Sequence, residues 1–407
     1  MTDTSCDRRR HHTTGSYRAG FSRGRWFVVR VGFLLDQMLA PVPGGTGRYS
    51  AELAAALVRT ARSGESVVGW CAWRPEAATA VAAVPGVLGP LRLPLPRQGL
   101  AAAWQRGHGP APTGVDVVHA PTLLVPSRRP GVPLVVTVHD AVPWTHPHTL
   151  TPHGARWHRR MGVRVARHAD AVIVPTRAVA ADLRACLPIP ADRMHVVGEG
   201  VSEAVGQVPA DAAARAERLD LPAGGYLLTL ATLEPRKGLD TALAALRDPA
   251  APDLPLVHVG PPGWGGLDLR VEATRVGLDP ARLRLLGRLD DADLAVVLAR
   301  ATALLAPSRS EGFGLPVVEA MAHGVPVIAS DIPAFVEVGG PAIVTVAVGD
   351  ATALARAAAS VVSDAELHRR LSVDGRARAA AFTWNGAAES LWSLYRRLSG
   401  SREFSTG

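Results

Sequence analysis

Short apolar runs, each closed by a turn or helix signal, recur along this chain in two series with a break between them. The first series opens at 26–35 (WFVVRVGFLL). A Gly/Pro loop follows, PVPGGTG at 41–47, and then a helical stretch over 48–58. Further runs lie at 115–119, 134–139 and 171–175. Runs this short and continuously apolar suit strands covered on both faces, and their alternation with helical segments predicts βαβ units on a parallel sheet. The regularity fails over about 198–225, where the chain turns small, polar and rich in Ala, Gly and Pro. It resumes at 226–230, 256–260, 284–286, 303–306 and 326–329. The expected organisation is α/β with two Rossmann-like lobes and a cleft between them. The N-lobe spans 26–200, a linker 201–225 and the C-lobe 226–383. Residues 1–25 read as a disordered extension. A C-terminal helix and tail occupy 384–407, with Ala388, Leu391, Leu394 and Tyr395 at helical spacing over 384–398 and no signal for the lobe it joins. Ligands of open α/β sheets bind beyond the carboxyl ends of strands, so the strand-end loops of both lobes are expected to face the cleft.

Composition agrees with two packed lobes. A chain of 407 residues exceeds one ordinary domain, and 47% hydrophobic against 20% charged residues exclude disorder throughout. Cys6, Cys71 and Cys186 lie far apart without C-x-x-C spacing, which argues against a disulfide framework or thiolate metal site and suits a reducing compartment. No uncharged apolar run reaches the ~18 residues of a spanning helix. Arg8, Arg9 and Arg10 are not followed by a clean apolar stretch, since Arg25 and Arg30 interrupt it, so no signal peptide is expected. The net charge of +8 points to an anionic partner, or to the Arg-rich usage of a GC-rich genome. RNP aromatics, zinc-finger spacing and a recognition-helix signature are all missing, so nucleic acid is not the expected partner.

The most informative segment is 307–330, PSRSEGFGLPVVEAMAHGVPVIAS. Glu311 precedes Gly312-Phe313-Gly314, a turn that permits close backbone approach to a ligand. Pro316 suits the first turn of a helix over 317–323, and Gly324 its end. The amides of Phe313, Gly314 and Leu315 are therefore expected at an exposed helix N-terminus, a ready site for a diphosphate. Glu319, in or near the first turn, and Glu311 would accept hydrogen bonds from sugar or ribose hydroxyls. Singly, Glu319 could merely complement the helix dipole and Glu311 be a solvated loop acid; the whole string, with its glycines and Pro316, argues otherwise.

In LTLATLEPRKGL at 228–239, Arg236 and Lys237 aim two cations at the same cleft, where they suit a departing diphosphate. A solvated basic helix start is the plain alternative, but cations there oppose the helix dipole, so an anionic partner is expected. GGTGRYSAEL at 44–53 places Gly45 and Gly47 before a helix; alone it reads as a turn, and it lacks the lysine of a P-loop. His139, in VVTVHDAVPW, closes a strand at the cleft face, although a lone histidine is more often structural. His119 also ends a strand and ranks below it. Asp291-Ala292-Asp293 has D-x-D spacing, but N-capping of a helix explains these acids and no metal site is expected. Over 153–170, Trp157, Met161 and Val165 share helical spacing with Arg156, Arg160, Arg164 and Arg167. That is a packed helix with a solvated basic edge, or a contact for anionic lipid.

The string S-x-x-E-G-F-G-L-P-x-x-E-A-M-A-x-G-x-P-V-I-A-S resembles the E-x7-E signature of the retaining glycosyltransferase family 4, whose members have the two-lobed GT-B fold. The resemblance runs from about residue 28 over nearly the whole chain. LEPRKG is similar to the family's E-P-R-K-G/N motif, with Ala231-Thr232 where many members carry Gly-Arg, so one phosphate contact is expected to be missing or replaced. The 44–47 glycines are similar to the family's N-lobe glycine loop, and His139 to the histidine by the donor sugar's reacting end. The resemblance implies a retaining, metal-independent hexosyltransferase without a cofactor. Gly45, Gly47, Arg236, Lys237, Gly312, Phe313, Gly314, Leu315 and Glu319 would hold the nucleotide-sugar donor; His139, Glu311, Arg236 and Lys237 would act in catalysis. The acceptor, a glycan or lipid-linked molecule, would sit on the N-lobe. HDAVP with TLEPRKG looks most like members that use GDP-mannose, with UDP-sugars open. The implied setting is cell-envelope glycan work in the cytoplasm, with peripheral contact at the inner membrane face. An epimerase of the same fold is opposed by the E-x7-E string, and a non-catalytic scaffold by the presence of Glu311, Glu319, Arg236 and Lys237. A NAD enzyme would need the G-x-G-x-x-G that GGTGRY does not supply.

Overall fold

In the computed structural model, which describes residues 29–40, 44–75, 84–263 and 265–400, the apolar runs become parallel strands. The N-lobe sheet has seven: β1 (Val29–Leu34), β2 (Glu65–Cys71), β3 (Leu88–Arg92), β4 (Val117–Ala120), β5 (Leu134–Thr137), β6 (Ala171–Val174) and β7 (Met194–Val196), in the order β3-β2-β1-β4-β5-β6-β7. The C-lobe sheet has six: β8 (Leu227–Leu230), β9 (Leu256–Val259), β10 (Leu283–Gly287), β11 (Ala303–Ala306), β12 (Val327–Ser330) and β13 (Val344–Val346), in the order β10-β9-β8-β11-β12-β13. In each sheet the order reverses beside its first strand, between β1 and β4 and between β8 and β11. The reversal opens a crevice where crossover helices leave to opposite faces, the usual place for a ligand on such a sheet.

The inner strands β4, β5, β6, β9, β11 and β12 are buried along their whole length, which is why their sequences are mostly apolar, with only His119, Thr137, His258 and Ser330 as buried polar members. Three of the four edge strands carry no such signal, β10 being the exception. β3 reads LGPLR and is largely exposed; β7 and β13 have no buried residue. These strands are absent from the apolar pattern of the sequence, as is β2, whose run is broken by Gly69. A side chain there would collide with Leu35, its Cβ 2.5 Å from that residue's Cδ1.

Two expectations change. Gly44 to Gly47 belong to the first turn of the helix Gly44–Thr60 rather than to a loop, and 41–43, like 1–28, lie outside the described residues. The 201–225 segment contains two short helices, Glu203–Gly206 and Ala212–Arg218. It is fastened to the C-lobe: Asp293 receives Arg215 and Arg218 at 2.8 and 2.6 Å, and the His323 ring bonds the Val205 carbonyl at 2.7 Å.

The helix Trp384–Leu398 crosses back to the N-lobe and packs on Gly44–Thr60. The Trp392 indole donates to the Leu57 carbonyl (2.9 Å), the Tyr395 hydroxyl meets His119 Nδ1 (2.6 Å), and Arg396 grips Glu65 at 2.6 and 3.0 Å. The chain thus passes between the lobes twice, and the passages touch: a Cβ on Gly200 would lie 2.4 Å from the Trp384 nitrogen. Among the described residues no helix is long and apolar enough to cross a membrane. Removing one partner of a buried ion pair leaves an uncompensated charge. Arg396→Ala strands the Glu65 side chain, which is only 1% exposed, and is expected to lower stability by about 3 kcal/mol. Urea unfolding followed by tryptophan fluorescence reads the loss.

Candidate active site

The loops that leave β8 and β11 at the C-lobe crevice are laced together. After β8 the chain forms a single 3-10 turn, Pro235–Lys237, and then Gly238 at φ +64°, where a Cβ would strike the Pro307 carbonyl. The Arg309 amide donates to the Arg236 carbonyl at 2.7 Å, and its guanidinium holds Asp240. Inside this frame Glu311 accepts from Lys237 Nζ (2.6 Å), Arg236 Nη1 (3.0 Å) and the Ser308 hydroxyl (2.8 Å), while Arg236 Nε also reaches Glu234 at 3.1 Å. Burial raises the Glu311 pKa, but the charges of Lys237 and Arg236 outweigh it and hold the carboxyl down to about 2. Burial and the neighbouring Arg236 push the Lys237 pKa down, against Glu311. In the chain by itself the two cations are paired with Glu311. Glu311 is not a solvated acid, and the cations are not a solvated helix start.

The next helix, Leu315–Ala322, starts two residues earlier than its sequence suggests. Gly314 precedes it at φ +100°, Pro316 lies in its first turn, and Gly324 follows at φ +71°. Phe313 is 4% exposed and packs edge-on against Phe382, so of the Gly312–Leu315 run it also anchors the loop. Glu319 lies in the second turn and is 1% exposed, so the helix dipole does not account for it. Its partner comes from the other lobe: Arg48 Nη1 is 2.6 Å from Glu319 Oε1, and Nη2 is 2.7 Å from Asp291 Oδ1. Burial pushes the Glu319 carboxyl up and Arg48 opposes it. The three acids of the D-x-D region have separate tasks: Asp290 caps its helix, Asp291 pairs with Arg48, and Asp293 binds the linker. Among the described residues no group of three or more His, Cys, Asp or Glu side chains converges as a metal site would require.

On the N-lobe, His139 stands two residues beyond β5. Its Nε2 lies 2.8 Å from the Pro121 carbonyl and its Nδ1 3.5 Å from Glu199 Oε1, with Tyr49 edge-on to the ring. Both partners are acceptors, so an imidazolium satisfies both. Burial works against that charge, Glu199 outweighs burial, and the pKa is raised above its ordinary value. Gly45 is exposed, with open space where a Cβ would be; Gly47 is buried in the same helical turn. His119 is not at the cleft. It is sealed between Tyr395 and Thr137, and burial takes its pKa down to about 3.

The lobes meet directly over this site. A Cβ on Gly312 would lie 1.8 Å from the His139 carbonyl oxygen, and the Thr176 hydroxyl donates to the Gly312 carbonyl at 2.9 Å. The close approach read into Gly312 is thus an approach to the N-lobe backbone. Glu337 of the C-lobe accepts the Arg177 and Ala178 amides at the start of the N-lobe helix Arg177–Cys186. Three residues of this cleft escape the sequence reading. Arg48 sits inside GGTGRY, a string read only for its glycines; Asp291 was absorbed by capping; and Glu199 lies in the small, polar stretch read as a break in the fold.

Residues 43–205 match the family model described as Glycosyltransferase Family 4, and 216–378 the model described as Glycosyl transferases group 1. The chain is 31% identical over 307 residues to the MMP alpha-(1->4)-mannosyltransferase of Mycolicibacterium hassiacum, covering 69% of this chain and 70% of that one. It is 27% identical over 286 residues to the O-antigen chain mannosyltransferase B of Escherichia coli, covering 69% and 74%. Sucrose-phosphate synthase from Thermosynechococcus elongatus shares the fold at a TM-score of 0.71 and 23% identity, over 91% of this chain and 99% of that one.

Two outcomes check the geometry. Because the Glu311 pKa falls from its ordinary 4.5 to about 2, its contribution to stability is full above pH 4.5 and is lost as pH drops toward 2. Glu311→Gln should lower stability at neutral pH and flatten the acid dependence in that window, as read by circular dichroism. Glu199→Gln removes the carboxylate that raises His139, so the His139 pKa, followed by NMR, should fall toward or below its ordinary 6.5.

Proposed function

The chain belongs to glycosyltransferase family 4, and from that premise we propose that it moves mannose from GDP-mannose to a glycan or lipid-linked acceptor with retention of configuration. The observation that carries this reading is the Lys237–Glu311–Arg236 cluster at the C-lobe crevice, with the helix start at Gly314 beside it and His139 across the cleft. The choice of mannose is supported by the printed functions of the two relatives above and by the HDAVP and TLEPRKG strings.

In this reading the donor's diphosphate lies over the amides of Phe313, Gly314 and Leu315, with Gly45 and Gly47 facing it from the N-lobe. Lys237 and Arg236 answer the charge that builds on the diphosphate as it leaves, the task a metal ion serves elsewhere. Glu311 keeps both cations aimed and accepts a hydroxyl of the donor sugar. Glu319 accepts the ribose hydroxyls, which as donors take the place of Arg48. His139 lies by the reacting carbon. There the anomeric carbon–oxygen bond to the diphosphate breaks, the acceptor oxygen bonds to the same face, and its proton passes to the departing phosphate oxygen. The lobe contacts at Gly312 and Thr176 exclude water, and so hydrolysis. The acceptor sits on the N-lobe, and the exposed Arg156 and Arg160 of the helix Pro152–His168 provide peripheral contact with the inner face of the membrane.

Calorimetric titration with GDP, UDP, ADP and GDP-mannose, without added metal, tests the reading. GDP and GDP-mannose are expected to bind, and both Lys237→Ala and Glu319→Ala to weaken them at least tenfold, about 1.4 kcal/mol. Binding of UDP alone would replace the donor with a UDP-sugar. A folded protein that binds no nucleotide would remove the donor site altogether.

A further inference from the structure

We propose that Asp140 is a further residue that grips the transferred sugar, one of its carboxylate oxygens accepting a hydrogen bond from a hydroxyl of the donor hexose. This contact rests on the donor reading above, which lays the diphosphate over the Phe313, Gly314 and Leu315 amides, and adds to it a recognition group from the N-lobe. Asp140 follows His139, whose carbonyl meets Gly312, and its own Cβ lies 3.4 Å from where a Cβ on Gly312 would be. Gly312 directly precedes the amides assigned to the diphosphate, so Asp140 stands where the hexose joins it.

The carboxylate is aimed and half free. Its Oδ1 accepts from the Val142 amide at 3.0 Å, which fixes the side chain from within its own loop. Its Oδ2 has no hydrogen-bond partner among the described residues. Arg236 stands on the opposite wall. Burial lowers the Arg236 pKa, but the charge of Glu311 and next that of Asp140 outweigh it. Asp140 acts more strongly than Glu234, although Glu234 bonds Arg236 at 3.1 Å. Asp140 is thus near enough to be felt, yet among the described residues no hydrogen bond or ion pair joins it to Arg236. Arg236 spends Nε on Glu234 and Nη1 on the Ser310 carbonyl and Glu311, which leaves Nη2 without a partner among the described residues. Neither Oδ2 nor Nη2 is among the sealed orphan atoms, so both keep accessible surface. A free acceptor and a free donor therefore stand on the two walls of one gap. A phosphate oxygen only accepts, and Asp140 repels it. A hydroxyl both accepts and donates, so a single hydroxyl held between the walls answers both. With the ribose assigned to Glu319, the hexose is the part of the donor that supplies it, and a bond to a charged acceptor is of the stronger kind.

Calorimetry on the full chain compares GDP with GDP-mannose, and UDP with UDP-glucose, in the parent, Asp140→Asn and Asp140→Ala. The pair that binds the parent is the pair that is read. Asparagine keeps an oxygen for the Val142 amide but puts an amide NH2 group where Oδ2 was, so it cannot accept the hydroxyl. Both variants are expected to bind the nucleotide-sugar about tenfold more weakly. The nucleoside diphosphate, which lacks the hexose, should bind them as it binds the parent, or more tightly because a negative charge has gone; its binding also shows that the variants are folded. Unchanged nucleotide-sugar affinity in Asp140→Asn overturns the contact and leaves the donor reading standing, and so does equal weakening of nucleotide and nucleotide-sugar. A parent chain that binds neither nucleotide removes the donor reading and this contact with it.

Discussion

Glu319 is buried in the C-lobe and takes its countercharge, Arg48, from the N-lobe, so the charge balance of the cleft holds only while the lobes are together. A buried pair of this kind adds little net stability, but stranding one member costs about 3–5 kcal/mol. That asymmetry works as a constraint on geometry. Separation of the lobes requires something else to answer Glu319, whether water or a ligand that donates hydrogen bonds. Glu311 is arranged the other way: Lys237, Arg236 and Ser308 all come from its own lobe, so its charge is settled whatever the N-lobe does. The E-x7-E pair therefore consists of one carboxylate fixed within a lobe and one shared across the cleft.

The same cleft is framed by backbone. Gly312 seats against the His139 carbonyl where no side chain fits, and Thr176 and Glu337 bond across the same boundary. Behind them, the crossings at Gly200 and Trp384 touch, and the final helix fastens to the N-lobe through Trp392, Tyr395 and Arg396. Glu199 lies on the first crossing and reaches His139. The charge state of that histidine is thus tied to the segment about which the lobes are joined.

Legibility in the sequence followed burial and locality. Inner strands such as β6 and β11 are apolar throughout and lie within a residue of their sequence-read positions, and the helix Trp384–Leu398 is readable from its stripe of core residues. Of the edge strands only β10 is legible, at 284–286; β3, β7 and β13 are not, because they are paired on one side and exposed to solvent, which removes the apolar signal. At the site, Glu311, Arg236 and Lys237 stood out because their strings are local. Arg48 with Glu319, and His139 with Glu199, are contacts between residues 271 and 60 positions apart. No periodicity or spacing rule reaches that far, and only the fold brings them together.

The most direct test of the proposed donor site is a crystal structure of the protein with GDP-mannose or GDP. The site predicts Glu319 within hydrogen-bond distance of the ribose hydroxyls, Arg48 displaced from it, and the diphosphate over the Gly314–Leu315 amides with Lys237 beside it. A nucleotide bound elsewhere, or bound with Glu319 still paired to Arg48, would contradict it.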